Sequence, residues 1–340
     1  MTGPGLSFGT WPTPVEAAPR LAVRLGLGPD DLLLKRDDLV GLGGGGNKAR
    51  KLGHLAAAAL ADGADTFVTS GAVQSNHARL TAAAAARLGV GAVLVLAGTP
   101  TRGATGNLSL DGLFGARVVW AGEVDDDGLD AAVVLAAERL RAAGARPAVF
   151  PLGGSDAVGA RGYLDCAAEL TDQVPDLAHV ATAVGTGGTM AGLAAGLGVE
   201  RVLGVDVGAT ADPAVRVTRL LAALGVHGAA IRLRLDQVGT GYGTPTASSG
   251  AALLDAARTE GVVLDPVYTA KALAGLAAAV AEGDIRPGQR TVFLHTGGLP
   301  GLFGHPAATE LAAGLAAGLA AELPAEPGSG LGSGLGSPRR

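Results

Sequence analysis

The chain has 340 residues, of which 48% are apolar and 17% charged, with a net charge of −5. That length holds two modest domains or one large one, and the apolar share is enough for a core, which excludes wholesale disorder. The acidic balance, with no basic stripe, excludes nucleic acid as the expected partner. The single cysteine, Cys166, excludes an intramolecular disulfide framework and a multi-cysteine zinc site, and no metal is expected. Cys166 reads instead as a buried, inert thiol. The N-terminus lacks the basic-then-apolar pattern of a signal peptide, and no apolar run has the length and purity of a membrane span. The expectation is a cytoplasmic, soluble protein without membrane partners.

In chain order, residues 32–36 read as a short strand that leads through Asp37-Asp38 to the stretch Gly43-Gly44-Gly45-Gly46-Asn47-Lys48. Four glycines bring a backbone close to a ligand and permit positive φ. Asn47 suits a helix N-cap, and Lys48 opens the apolar-periodic run Leu52, Leu55, Ala56, Ala59. A lysine at such a junction is either a solvated amine or a site lysine that binds phosphate or forms a Schiff base. No Walker A motif can be read here. Strands are then expected at 66–69, 92–96, 117–120, 148–150, 180–184, 202–207 and 291–294. Helices are expected at 79–88, 108–114, 129–143, 158–170, 190–197, 213–224, 248–260 and 270–282. Short apolar strands alternating with longer helices predict an α/β fold of parallel βαβ units, with helices on both sheet faces. The Gly/Ser/Leu tail, 326–340, reads as a flexible extension.

Several stretches at expected strand-to-helix junctions can carry chemistry. Gly185-Thr186-Gly187-Gly188-Thr189 is a phosphate cup in form, because helix-start N–H groups and the helix dipole favour an anion. It lacks the dinucleotide spacing, and a plain capped turn is its alternative. Gln74-Ser75-Asn76-His77 opens a helix where free N–H groups suit a carboxylate, with simple N-capping as the alternative. Tyr242, in Gly-Tyr-Gly, and Tyr268, in Asp-Pro-Val-Tyr, are two of only three tyrosines. Each is a candidate for stacking or proton transfer, or a packing residue with its hydroxyl paired. A phosphate cup, a loop lysine and a carboxylate-friendly helix start suit pyridoxal phosphate and an amino-acid substrate.

The motifs Lys35-Arg36-Asp37-Asp38-Leu39, Gly45-Gly46-Asn47-Lys48-Ala49-Arg50-Lys51-Leu52, Gln74-Ser75-Asn76-His77, Gly185-Thr186-Gly187-Gly188-Thr189, Leu264-Asp265-Pro266-Val267-Tyr268 and His295-Thr296-Gly297-Gly298-Leu299-Pro300 span nearly the whole chain. In these the chain resembles the D-cysteine desulfhydrase and 1-aminocyclopropane-1-carboxylate (ACC) deaminase family, within the fold-type II pyridoxal-phosphate enzymes related to tryptophan synthase β. The resemblance implies two open, twisted, mostly parallel sheets flanked by helices. A large cofactor-binding domain would comprise 1–51 plus 158–325, with 52–157 a small inserted domain, and a homodimer is implied.

The resemblance makes Lys48 the Schiff-base lysine. It brings Lys51 to the phosphate held by Gly185, Thr186, Gly187, Gly188 and Thr189, and Asn76 to the ring hydroxyl. Ser75, Asn76 and His77 would hold the substrate carboxylate, with Ser75, Tyr242 and Tyr268 catalytic on the substrate side. ACC deaminases have Glu after the second tyrosine and Leu before the last Gly-Gly. This chain has Thr269 and Thr296, the desulfhydrase-like pair. Physically, a carboxylate beside the pyridine nitrogen keeps it protonated, whereas threonine offers a neutral hydrogen bond and a weaker electron sink.

The implied reaction is α,β-elimination, with D-cysteine giving pyruvate, ammonia and sulfide. The alternatives are ACC deamination, a lyase for cysteate, chloroalanine or a thioether, and non-catalytic binding of the cofactor or another phosphorylated ligand. The family's Leu-Phe-Gly-Tyr ends here in His305, which marks a changed contact.

Overall fold

The computed structural model describes residues 5–100, 103–306, 308 and 310, so the expected tail at 326–340 lies outside the described residues. Residues 1–305 form one compact unit. The chain runs β1 (Val15–Ala17), α1 (Pro19–Leu25), β2 (Leu32–Arg36), α2 (Lys48–Ala61), β3 (Thr66–Ala72), α3 (Asn76–Leu88), β4 (Gly91–Ala97) and α4 (Gly106–Leu113). It continues with β5 (Arg117–Gly122), α5 (Asp126–Ala142), β6 (Pro147–Val149), α6 (Ala157–Gln173), β7 (His179–Val184), α7 (Gly188–Leu197), β8 (Val202–Asp206) and α8 (Pro213–Ala223). The last elements are β9 (Arg232–Arg234), α9 (Ala247–Glu260), α10 (Thr269–Ala281), β10 (Thr291–His295) and α11 (Leu299–Phe303).

Two sheets result. One has six strands in the order β1-β2-β10-β7-β8-β9, and the other has four in the order β5-β4-β3-β6. Every neighbouring pair is parallel except β1 with β2. The fold is thus α/β with two mostly parallel sheets flanked by helices, as the alternation of elements predicts. Four elements lack a sequence signal. β1 and β9 are three residues each, and Arg-Leu-Arg in β9 carries no apolar run. α1 and α11 are 7 and 5 residues long, too short to display helical periodicity.

Small side chains let the layers approach closely. The core beside the four-stranded sheet is rich in alanine from α3, with Ala78, Ala82, Ala84 and Ala85 almost fully buried. In the other core a Cβ on Gly192 would lie 2.3 Å from the Ala160 carbonyl oxygen, so α7 meets α6 nearly backbone to backbone. Cys166 is buried there, and burial pushes its thiol pKa up, consistent with an inert group. No helix among the described residues is long and apolar enough to cross a membrane.

Candidate active site

The glycine run is shaped by contact. Gly43, Gly44, Gly45 and Gly46 all take positive φ, between 53° and 122°. At Gly45 a Cβ would lie 2.0 Å from the Asp38 carbonyl oxygen, so only glycine lets the chain pass. The Gly46 N–H donates to the Asp37 carbonyl (3.1 Å), and the Asn47 N–H to the Thr296 carbonyl (3.0 Å). These bonds deliver Lys48 to the first turn of α2. Asn47 precedes the helix but does not cap it with its side chain. Its carboxamide instead donates to Thr189 Oγ1 at 3.0 Å, tying this loop to the 185–189 turn.

A cavity of about 220 Å³ opens at the carboxyl ends of strands from both sheets. Gly71 and Ala72 of β3 and Ala97 of β4 line one side, and Ala183 of β7 lines the other. This is where open α/β sheets place ligands. Lys48 and Lys51 project into it one helical turn apart. Burial lowers the Lys48 pKa to about 8. Burial and the neighbouring Lys48 charge drive Lys51 well below the ordinary lysine value, against a counter-pull from Asp156. The Lys51 ammonium donates to Ser155 Oγ (2.9 Å) and the Gly153 carbonyl (3.3 Å). Ser155 also accepts from the Gly188 N–H (3.3 Å) and bonds Thr186 Oγ1 (2.6 Å). Ser155 was not anticipated from sequence; the glycine pair before it was the available signal.

The opposite wall is the start of α3. Ser75 caps it, its Oγ accepting the Ala78 N–H at 3.1 Å. The capping reading is therefore correct for Ser75, and the residue lines the cavity as well. Asn76 Oδ1 and both His77 ring nitrogens are buried without a hydrogen-bond partner among the described residues. Burial, with Lys48 and Lys51 nearby, keeps His77 well below its usual pKa and therefore neutral. At the mouth, Tyr242 and Tyr268 meet hydroxyl to hydroxyl at 2.6 Å, their rings edge-on at 70°.

The cavity brings together Lys48, Lys51, Ser75, Asn76, His77, Gly185, Thr186, Gly187, Thr189, Tyr242, Tyr268 and Thr296. Two expected residues do not line it. Gly188 packs against Lys51 and Ser155, where a Cβ would lie 2.8 and 2.7 Å from their polar atoms. Thr269 is fully buried, and its hydroxyl bonds Asp265 Oδ1 at 2.7 Å while accepting the Asp265 N–H at 2.8 Å. Its hydroxyl closes the Asp265 turn that leads into α10. Thr296 alone of the threonine pair faces the cavity. Asp126 and Leu129 of α5 also line it; the helix begins at Asp126, three residues before its expected start, and neither residue belongs to a recognisable motif.

The family model for pyridoxal-phosphate dependent enzymes matches residues 6–297. The chain belongs to that family. A D-cysteine desulfhydrase from Klebsiella pneumoniae subsp. pneumoniae is 42% identical over 316 residues, spanning 87% of this chain and 94% of that protein. The solved structure of an ACC deaminase homologue matches with a TM-score of 0.83 at 34% identity, over 91% of this chain and 96% of that one. A processed threonine deaminase isoform 2 from Solanum lycopersicum shares the fold, with a TM-score of 0.61 at 21% identity over 88% of this chain and 83% of that one.

The cavity fits pyridoxal phosphate on its own terms. Two amines press on each other's charge and need an anion. Glycine-rich turns at 153–155 and 185–189 offer hydroxyl and N–H donors around the amines. The orphaned oxygen of Asn76 and ring nitrogens of His77 leave polar atoms for a polar ring and a substrate to meet.

Proposed function

We propose that this enzyme catalyses α,β-elimination of a β-substituted amino acid, with D-cysteine as the first substrate to try. The observation that carries it is the Lys48 amine, its pKa lowered to about 8, which lines one cavity with the start of α3. Bound pyridoxal phosphate supplies the aldehyde that Lys48 meets and the sink for electrons leaving the α carbon. Lys51, Ser155 and the 185–189 turn would hold its phosphate, and Asn76 would serve its ring hydroxyl. The free N–H groups from Ser75 to His77 hold the substrate carboxylate, aided by the positive end of the α3 dipole.

With the cofactor bound, the Lys48 amine would take the α proton, with Ser75 as the alternative carrier. The Cα–H electron pair forms the Cα–Cβ double bond as the Cβ–S bond breaks, and its electrons leave on the thiolate. The Tyr242–Tyr268 pair protonates the departing sulfur side. Water then hydrolyses the released enamine to pyruvate and ammonia. Thr296, which lines the cavity, would offer the ring nitrogen a neutral partner, which suffices for a good leaving group and suits an unactivated cyclopropane less well.

The 42% identical desulfhydrase supports D-cysteine, and the ACC deaminase homologue sets the chief competitor. Incubation with D-cysteine, L-cysteine and ACC, following pyruvate, sulfide and 2-oxobutyrate, separates them. Pyruvate with sulfide from D-cysteine is the expected result. 2-Oxobutyrate from ACC overturns the reading of Thr296. Cofactor bound with no product from these or from cysteate, chloroalanine or a thioether leaves a binding protein.

The same proposal takes the enzyme as a cytoplasmic homodimer, on the family resemblance, and light scattering tests the dimer. It also assigns 52–157 to a small domain inserted into 1–51 plus 158–325. The four-stranded sheet, drawn only from residues between 66 and 149, supports that division.

A further inference from the structure

Residues 235–246 contain no helix or strand, yet they carry Tyr242 to the cavity mouth. Tyr242 itself is 40% exposed, and its hydroxyl bonds that of Tyr268. A loop of this kind needs an outside hold to keep a ring in one place.

The hold comes from α10. Lys271 follows Tyr268 by three residues and is fully buried. Its ammonium donates to three main-chain carbonyls, those of Val238 (2.8 Å), Gly241 (3.1 Å) and Val207 (3.4 Å). Two of the three belong to the Tyr242 loop, and Gly241 is its direct neighbour. The third belongs to the end of β8, where Gly208 takes φ +80° and a Cβ would lie 3.2 Å from the Tyr242 nitrogen. Burial lowers the Lys271 pKa, and Asp206, at the end of β8, partly offsets this. On the other flank, His305 Nε2 donates to the Gly243 carbonyl at 2.7 Å. Tyr242 therefore sits between two carbonyls, each held by a side chain from another element.

We propose that Lys271, assisted by His305, is a positioning residue for the reaction: it pins the Tyr242 loop so that the ring stands against Tyr268 over the cavity. The inference rests on the reading of Tyr242 as a substrate-side residue. Charge-assisted hydrogen bonds are the stronger kind, and a buried ammonium with three carbonyl acceptors has no cheaper arrangement than this one. His305 gives a role to the position at which the chain departs from its family's tyrosine.

The test combines K271M, H305A and Y242F with the K271M/Y242F double variant. In K271M, amide exchange should accelerate at residues 237–245, in the protein with or without cofactor, and stay unchanged in α3 and the 185–189 turn. Its kcat for elimination should fall about a hundredfold, the cost of a misplaced catalytic group, with the cofactor's absorption unchanged. In the Y242F background the same substitution should cost less than about twofold, because the group it positions is already gone. H305A should show the same exchange pattern and lose about tenfold, near the worth of one hydrogen bond. Equal losses in both backgrounds, or unchanged exchange at 237–245, overturn the positioning role. If K271M does not fold, H305A and H305A/Y242F decide by the same exchange and the same cycle. A Y242F enzyme with full turnover removes the substrate-side reading of Tyr242, and the positioning role falls with it.

Discussion

The first turns of α2 carry three cations with two opposite fates. Arg50 turns away from the cavity into a saturated network. It donates twice to Asp37 (both 2.8 Å), twice to Glu169 (both 2.8 Å) and to Thr13 (3.0 Å), and stacks 4.3 Å from the Trp11 ring centre. Asp37 also accepts from Tyr163 (2.7 Å) and Thr13 (2.9 Å), and Lys35 closes the network through Glu169 at 2.6 Å. Lys48 and Lys51, on the other face, have no carboxylate hydrogen-bond partner among the described residues and sit at depressed pKa values. A cation with every donor satisfied is inert and holds the helix. A buried cation without a carboxylate partner gives up its proton more readily and can then act as a nucleophile or a base. The network fixes the helix so that the amines can stay uncompensated until an anion arrives.

The widest separation of the two faces is expected from K48A. Elimination should fall by more than about a thousandfold, within the range that a lost general base and its partners contribute, while the thermal midpoint stays close to the parent. A parallel loss of fold in K48A would erase the contrast. R50M is the converse. It leaves Asp37 buried and unpaired, at a cost of about 3–5 kcal/mol in chemical denaturation, comparable to breaking other buried pairs. The network also sets the acid limit. Arg50 and the hydroxyls of Tyr163 and Thr13 outweigh burial and hold Asp37 below its ordinary value of 3.8. Stability from this group is therefore present above that value and lost as pH falls below it through the folded pKa. R50M should flatten that acid transition.

Much of this was legible in the sequence, for local reasons. Four glycines before a lysine signal a close backbone pass, and the passage beneath Asp38 requires it. Helix starts after apolar strands marked Ser75 and the 185–189 turn. The Arg50 network was not legible, because Asp37 and Glu169 are 132 positions apart and spacing carries no trace of their meeting. The Thr269 bond to Asp265 was not legible either, because a hydroxyl that closes a turn four residues back leaves no pattern in the sequence. Asn47 stands at the N-cap position as its type suggests, while its side chain donates to Thr189 rather than bonding the helix start.

A finer test uses pH on the cofactor-free protein. Because the Lys48 amine is neutral above about 8, the rate at which it captures an aldehyde should rise with pH and level off above that point. Lys48 should add stability as pH rises from about 8 to its unfolded value of 10.5, since the unfolded chain holds the extra proton in that window. A capture rate still climbing at pH 10 would place Lys48 with ordinary lysines. The smallest expected effect is S75A. It removes the cap on the Ala78 N–H, costing about 1 kcal/mol of stability. It should raise KM more than it lowers kcat if Lys48 is the proton carrier, and lower kcat if Ser75 is.

The most direct measurement is to load the protein with pyridoxal phosphate, reduce it with borohydride and map the modified peptide by mass spectrometry. The account predicts the reduced adduct on Lys48 alone, with Lys51 unmodified. An adduct on Lys51, or none on either lysine, would contradict it.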